Sequence, residues 1–367
     1  MIPDLLVAAR LTATLTAAQP PGPPDRTYYV LVASEGVDRI QLVRFGPTGT
    51  GVERSFRIGL VPTEPSGPHG LAVAPDRKTF FVSTGHGTPY GSLWKFRTAD
   101  DKPAGRVQLG LFPATVQVSP DGYLAYVVNF NLYGEMVPSS VSVVATDEMV
   151  EVTRIPTCVM PHGSRLNPQG TKHYSACMMD DMLVEIDTRK LAVARHFTLT
   201  KGQEHGMDGA PMAHPAGAPM APVTCSPTWA QPSADGAKIY VACNKANEIV
   251  EIDAGSWTIT RRFPAGNGVY NLAATHDGKL LLATNKRGQS VSIFDLGGGT
   301  ELKRLATKRK VVHGVAVAPD DRYAFVSVEG IGSEPGTVEV IDLKALQTTA
   351  TVDVGSQAGG IDVWKEE

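Results

Sequence analysis

The chain has 367 residues, 42% of them hydrophobic, and its 34 basic and 37 acidic residues give a formal charge of -3. This balance argues against a nucleic-acid-binding or polybasic membrane-binding protein, because both concentrate positive charge. No stretch approaches the ~20 apolar residues of a membrane span. The 37 glycines and 27 prolines, spread along the whole chain, favour many short strands.

The first 26 residues precede the repetitive part of the sequence. They contain an apolar stretch and then the proline-rich segment PPGPP. Asp4 and Arg10 interrupt the apolar stretch, and the basic start typical of an export signal is missing. We interpret residues 1–26 as either a remnant export signal or an N-terminal tail, with a Pro-rich linker. From the signal-like features we expect a periplasmic or extracellular protein.

One phrase then recurs six times, for example as PHGLAVAPDRKTFFVST and as VHGVAVAPDDRYAFVSV. In each unit a short strand of small residues leads through a Pro-Asp-Gly-type turn into a β-branched and aromatic strand. Third and fourth strands such as LVEIDT and VARHFTL follow. Four-stranded units of about 40–45 residues are typical of β-propeller blades. The six units start at Pro68, Pro113, Pro161, Pro227, Val269 and Val312.

The two ends of the chain together supply one more unit. The N-terminal segments YYVLVAS, RIQLVRF and RSFRIGL predict three strands, and the C-terminal GGIDVWK predicts the missing first strand. The sequence therefore predicts an all-β, seven-bladed β-propeller over residues 27–367, closed by one C-terminal plus three N-terminal strands. The longest interval between units predicts an insertion loop at about residues 203–224.

Several segments carry a family resemblance. APD at 74–76, SPDG at 119–122 and ADGAKIYVACN at 234–244 resemble the YVTN-type β-propeller repeat family. The resemblance implies the fold and leaves the function open, because proteins with this repeat include binding proteins, cell-surface proteins and propeller subunits of copper- or quinone-dependent enzymes.

The second residue of each unit is expected where its inner strand enters the central channel. Three of these seven residues are histidines, spaced two, three and two blades apart. Inward imidazoles in this arrangement suit copper, zinc or iron. Alternatively, Pro-His-Gly is only an entry turn, whose histidine bonds the backbone of the next blade. Around the ring the residues are His69, Ala114, His162, Thr228, Tyr270, His313 and Gly359.

Loops rich in sulfur and histidine are predicted on the same face. Mixed imidazole and thioether groups favour copper, although methionine also fills gaps and the insertion would equally serve as a lid. Cys158 with Cys225, or Cys177 with Cys243, are expected to approach each other from adjacent blades. The predicted metal ligands are His69, His162, His313, His86, His205, His214 and Met207.

The leading functional hypothesis is an exported propeller that binds a transition metal, with copper expected and zinc or iron as alternatives, for redox or metal-assisted chemistry on a small molecule. One alternative is a metal-free scaffold that binds a protein partner through its methionine-rich loops. Another is a metal-independent lyase or lactonase that uses channel histidines, with Tyr270 and His313 as catalytic candidates. No nucleotide or flavin is expected, because GGG at 297–299 precedes no helix and no phosphate-binding motif occurs.

Overall fold

The computed structural model describes residues 23–61, 63–85, 90–211 and 222–367. These residues form 29 strands and one short 3₁₀ turn (Glu35–Val37), arranged as seven antiparallel sheets around a central channel. The predicted seven-bladed β-propeller is confirmed. Within the described ranges no helix is long and apolar enough to cross a membrane.

We number the blades by their inner strands. Blade 7 combines both ends of the chain and contains β1 (Tyr28–Ser34), β2 (Arg39–Gly46), β3 (Gly49–Arg57) and β29 (Ala358–Glu366). Blade 1 contains β4 (Pro68–Val73), β5 (Thr79–Thr84), β6 (Tyr90–Arg97) and β7 (Pro103–Leu111). Blade 2 contains β8 (Pro113–Val118), β9 (Leu124–Asn129), β10 (Pro138–Ala145) and β11 (Val150–Val159). Blade 3 contains β12 (Pro161–Leu166), β13 (Lys172–Cys177), β14 (Met182–Asp187), β15 (Ala192–Thr198) and β16 (His205–Asp208).

The remaining blades have four strands each. Blade 4 contains β17 (Pro227–Pro232), β18 (Lys238–Cys243), β19 (Glu248–Asp253) and β20 (Thr258–Pro264). Blade 5 contains β21 (Val269–Ala274), β22 (Leu280–Asn285), β23 (Ser290–Asp295) and β24 (Thr300–Ala306). Blade 6 contains β25 (Val312–Val317), β26 (Tyr323–Val328), β27 (Gly336–Asp342) and β28 (Gln347–Val354).

Strand β29 closes the ring. It pairs antiparallel with β1, with Val32 opposite Ile361. Thr27 and Glu367 extend the pairing by exchanging two backbone hydrogen bonds of 2.8 and 2.9 Å. The predicted one-plus-three closure is confirmed, and each inner strand contacts the inner strands of both neighbouring blades. A closed ring removes the exposed inner edges that an open sheet would present.

Apolar side chains fill the spaces between neighbouring blades. Each of seven large hydrophobic clusters draws its residues from two adjacent sheets. Between blades 6 and 7, for example, Tyr28 packs edge-on against Tyr323 with their ring centroids 5.2 Å apart. The core is therefore a ring of seven interfaces, and burial of these side chains holds each blade against the next.

The entry turns give all inner strands the same register. The residue before each inner strand is left-handed, with φ between 48° and 68°, at Gly67, Phe112, Met160, Ser226, Gly268, Val311 and Gln357. The glycine after the histidine in the Pro-His-Gly turns is required by close packing. A Cβ at Gly70 would lie 2.0 Å from the carbonyl oxygen of Ala114, and one at Gly163 would lie 2.3 Å from that of Thr228.

Buried hydroxyls join the blades around the channel. Each hydroxyl donates a hydrogen bond to the backbone carbonyl of the second residue in the inner strand of the next blade. Such a bond contributes about 1 kcal/mol net to the stability of the fold. These bonds fix the position of the second residue relative to the neighbouring blade. The pairs are Ser83 to Ala114 (2.6 Å), Thr115 to His162 (2.5 Å), Thr228 to Tyr270 (2.8 Å), Thr284 to His313 (3.0 Å) and Ser327 to Gly359 (2.5 Å).

The insertion is only partly a loop. Its residues 205–208 form β16, a fifth strand that pairs with β15 at the outer edge of blade 3. The sequence predicted an insertion loop at about 203–224, and this short strand forms within it because the outer edge of blade 3 offers free backbone groups for pairing. Residues 212–221 lie outside the described residues.

Two adjacent aspartates anchor the entry loops. Asp180 accepts a hydrogen bond of 2.6 Å from the backbone N–H of Val159. Asp181 accepts backbone N–H groups of the loop that enters blade 4, at 2.5 Å from Thr224 and 2.7 Å from Ser226. The acidic part of the segment CMMDDM therefore holds loops in place.

The four cysteines form two disulfides: Cys158–Cys177 joins β11 of blade 2 to β13 of blade 3, and Cys225–Cys243 joins the loop entering blade 4 to β18 of that blade. The expected partners were wrong, because Cys158 does not pair with Cys225 and Cys177 does not pair with Cys243. Pro161 lies opposite Cys177, and Pro227 lies opposite Cys243, in the ladders of blades 3 and 4. The cysteine two or three residues before each of these prolines is therefore brought next to the end of the second strand of the blade that the proline begins.

The disulfides lead to a stability prediction. Each closes a loop with a sequence separation of 18 or 19 residues, which is expected to stabilise the fold by about 3 kcal/mol in the loop-entropy account. The double variant Cys225→Ser/Cys243→Ser should lower the free energy of unfolding in urea by about that amount. Free thiols in the denatured, unreduced protein would contradict these pairings.

A buried histidine leads to a prediction about pH. His173 in β13 stacks on Tyr126, and within the described residues neither of its ring nitrogens has a hydrogen-bond partner. Burial, and then the charge of Arg165, lower the pKa of His173 to about 3. Protonation is thus disfavoured in the folded state, so stability is complete above pH 6.5 and is lost as the pH falls from there towards 3.

We expect His173 to account for about 2 kcal/mol of stability lost between pH 7 and pH 5. Between pH 7 and pH 5 the free energy of unfolding of the variant His173→Phe should therefore fall by about 2 kcal/mol less than that of the parent. At pH 7 the variant should be as stable as the parent, because no buried nitrogen is left unpaired. Urea unfolding at several pH values measures this. The exposed His205, changed to Phe, is the control. An unchanged pH dependence in His173→Phe would show that the prediction is wrong.

Candidate functional site

A cavity of about 360 Å³ opens at the end of the channel where the inner strands begin. His69, His162 and Tyr270, each the second residue of an inner strand, line this cavity, and their rings pack together with that of His313. His69 lies 6.0 Å from His162 and 5.4 Å from His313, measured between ring centroids. Tyr270 completes the circle at 5.3 Å from His162 and 5.0 Å from His313. Residues that are up to 244 positions apart in the chain thus form one continuous aromatic floor.

Both nitrogens of His162 have partners. Nε2 lies 2.9 Å from the hydroxyl of Tyr270, and Nδ1 lies 3.2 Å from the backbone carbonyl of Thr228. The carbonyl requires a proton on Nδ1, so Nε2 accepts the hydrogen bond from Tyr270. Burial, followed by the charges of His69 and Lys286, lowers the pKa of His162 to about 3. Burial raises the pKa of Tyr270. The pair therefore consists of a neutral imidazole and a neutral phenol at pH 7.

His69 is paired with a carboxylate. Its Nδ1 lies 2.8 Å from Oε2 of Glu35, which belongs to the 3₁₀ turn of blade 7. In the neutral imidazole, a carboxylate at Nδ1 fixes the proton there and leaves the lone pair on Nε2. Nε2 is buried and has no hydrogen-bond partner in the part of the chain that the structure describes. In its neutral form His69 thus has an unpaired acceptor, Nε2, in a residue that lines the cavity.

Lys286 brings a positive charge to the opposite side of the floor. Its Nζ lies 2.8 Å from Oε1 of Glu329 and 4.3 Å from the ring centre of Tyr270. Burial acts to lower the pKa of Lys286, but its interactions with Tyr270 and Glu329 outweigh this and raise it. Burial, with the charge of Lys286, lowers the pKa of His313 well below its usual value. Lys286 therefore stays charged while His313 stays neutral.

The walls are formed by another repeat position, the one directly after the second strand of each blade. The first residue after the second strand lines the cavity in six of the seven blades: Glu35, Phe130, Met178, Asn244, Lys286 and Glu329. These residues were detectable from the sequence, since each directly follows the second strand of its repeat unit. Glu35, Lys286 and Glu329, the charged members, were missed.

The wall is divided into two sectors. An apolar sector from blades 2 and 3 contains Phe112, Phe130, Leu132 and Met178. A charged sector from blades 5, 6 and 7 contains Lys286, Glu329 and Glu35. A ligand with an apolar part and a polar end matches this division, and the volume is within the ~300–1,000 Å³ of small-molecule pockets.

The predicted metal ligands occupy different places. His69, His162 and His313 lie together, but within the described ranges no three His, Cys, Asp or Glu side chains are arranged to hold a metal ion. His205 and Met207 lie exposed on β16, at the outer edge of blade 3. His86 and His214 lie outside the described residues. The structure thus brings together the histidines of the channel and keeps those of β16 apart from them.

Comparisons with known proteins identify the fold. A crystal structure of a functionally unknown protein from Desulfotomaculum acetoxidans DSM 771 superposes with a TM-score of 0.68 and 14% identity, covering 92% of this chain and 98% of that one. Kuenenia stuttgartiensis hydrazine synthase superposes with a TM-score of 0.60 and 21% identity, covering 79% and 81%. At such identities the likeness shows the fold alone.

No family model and no curated protein matches the sequence. Membership of the YVTN-type repeat family therefore stays a prediction. The chain is a seven-bladed β-propeller with a ligand-sized cavity at one mouth of its channel.

Proposed function

We propose that the protein binds a small organic molecule in the channel-mouth cavity and transfers a proton on it without a metal, as lyases and lactonases do. The observation that carries the proposal is that His69, oriented by Glu35, and the neutral phenol of Tyr270 line the same cavity. General acid–base catalysis requires such a pair within reach of one substrate.

Each group in the cavity has a role in this proposal. His69 is the base, and Glu35 orients it and stabilises its protonated form. Tyr270 would turn its single hydroxyl proton from Nε2 of His162 to a ligand oxygen and so act as the acid or as the hydrogen-bond donor. Lys286, 4.3 Å from the ring of Tyr270, stabilises negative charge that develops on that oxygen or on the phenol. The apolar sector binds the remaining part of the molecule and excludes water.

Copper at His69, His162 and His313 is a second candidate, with zinc or iron in the same place. One observation favours it: Nδ1 of His69 faces a carboxylate and Nδ1 of His162 faces a backbone carbonyl. Metal-binding histidines usually hold their outer nitrogen in this way. The metal would take Nε2 of His162 from Tyr270 and act as a Lewis acid or an electron carrier.

Export belongs to the same proposal. All four cysteines are in disulfides, and disulfides persist mainly in oxidising compartments such as the periplasm or the extracellular space. This supports the interpretation of the N-terminal segment as a remnant export signal.

The acid–base proposal predicts the behaviour of three variants. Lactones and hydroxy acids with an apolar substituent should be tested as substrates in the presence of EDTA. We expect turnover that falls at least ~100-fold in Glu35→Gln, His69→Gln and Tyr270→Phe, because general acid–base groups contribute roughly 10²–10⁴-fold. The control is His205→Gln, which changes an exposed histidine outside the cavity.

Elemental analysis of the purified protein separates the two candidates. The acid–base proposal predicts full activity without stoichiometric metal. Copper, zinc or iron bound at about one ion per chain, and lost in the variant His69→Ala/His162→Ala/His313→Ala, would support the metal site and contradict the metal-free mechanism.

A further inference from the structure

The other end of the channel contains a second cavity, of about 220 Å³. It is lined by the fifth residue of the inner strand in six of the seven blades: Gln117, Arg165, Gln231, Ala273, Ala316 and Asp362. This cavity is separate from the proposed acid–base site, because its residues lie three positions further along the same strands.

Arg165 is a charged group without an ion-pair partner. Its Nη1 donates to the carbonyl of Ser164 at 3.1 Å, and the guanidinium lies over the ring of Trp229 at 4.7 Å. Among the described residues no carboxylate oxygen lies within 4.0 Å of its nitrogens. Burial lowers the pKa of Arg165 to about 10, so it remains charged at neutral pH. Its stacking on Trp229 fixes its direction and leaves donors free for a ligand.

Asp362 carries the opposite charge across the channel, in blade 7. Its carboxylate accepts backbone N–H groups of Val73 at 2.8 Å and Val363 at 2.9 Å, which hold it in place. Burial raises the pKa of Asp362, and the charge of Arg165 acts in the other direction. The two groups thus feel each other's charge without forming an ion pair. Partly buried charges without direct partners are costly, and a ligand that contacts both would remove that cost.

We propose that this cavity binds a small zwitterion, with its carboxylate on Arg165 and its ammonium group on Asp362. An anion alone would meet the charge of Asp362, and a cation alone would meet that of Arg165. Only a molecule that carries both charges is attracted by Arg165 and by Asp362 at the same time. Arg165 suits a carboxylate because its planar fork makes two parallel hydrogen bonds. Ala273 and Ala316 leave the remaining space open, and the volume limits the ligand to one smaller than drug size.

Calorimetry with matched probes tests this. The zwitterions glycine, β-alanine and 4-aminobutanoate present the two charges at increasing separation, and acetate and methylammonium each present one. We expect one zwitterion to bind at least ten times more tightly than either single-charge probe. The idea is overturned if all three zwitterions bind no better than acetate or methylammonium.

Two variants assign the charges. Asp362→Asn should weaken binding of the best zwitterion at least tenfold and leave acetate binding unchanged or stronger. Arg165→Gln should abolish the binding of the zwitterion and of acetate. The matched control is Arg106→Gln, since Arg106 also lies over a tryptophan, Trp94, away from this cavity. Unchanged zwitterion binding in Asp362→Asn would refute the assignment, and this variant decides the question even if Arg165→Gln fails to fold.

Discussion

The pairing of β29 with β1 is the constraint on which the remaining structure depends. It joins the two ends of the chain into blade 7 and leaves every inner strand between two neighbours. Seven hydrophobic interfaces are then buried instead of six, and the channel has a closed wall. The site residues are distant in sequence, with His69 and His313 in blades on either side of blade 7, so they face each other only in the closed ring.

In the closed ring, the position of a residue within its repeat unit determines where its side chain lies along the channel. Because the entry turn and the hydroxyl bonds are repeated, a residue type at one repeat position becomes a side chain at one height in the channel. The second position supplies the aromatic floor, and the residue after the second strand supplies the walls. The fifth position supplies Arg165 and Asp362 at the far end. One scaffold therefore presents two chemically different cavities without any change in its backbone.

The sequence predicted the fold because the repeat is local: strand, turn and strand lengths are set by residues within a few positions of each other. The same repeat placed His69, His162, Tyr270 and His313 at the channel. The features that the sequence did not predict depend on contacts between side chains that are distant in sequence. The partnership of His69 with Glu35 and that of His162 with Tyr270 are choices of rotamer and hydrogen bond. The disulfide pairing likewise depends on the ladder registers of blades 3 and 4.

The chemistry of the cavity floor depends on His162 being a neutral imidazole that accepts a hydrogen bond from Tyr270. Nitrogen-15 NMR of the histidine side chains, on protein purified without added metal, measures its tautomer and charge directly. We predict a neutral ring with the proton on Nδ1 at pH 7 and the same form at pH 5, since its pKa is about 3. A ring that becomes charged near pH 6.5, a proton on Nε2, or the shift of a metal-bound nitrogen would contradict the account.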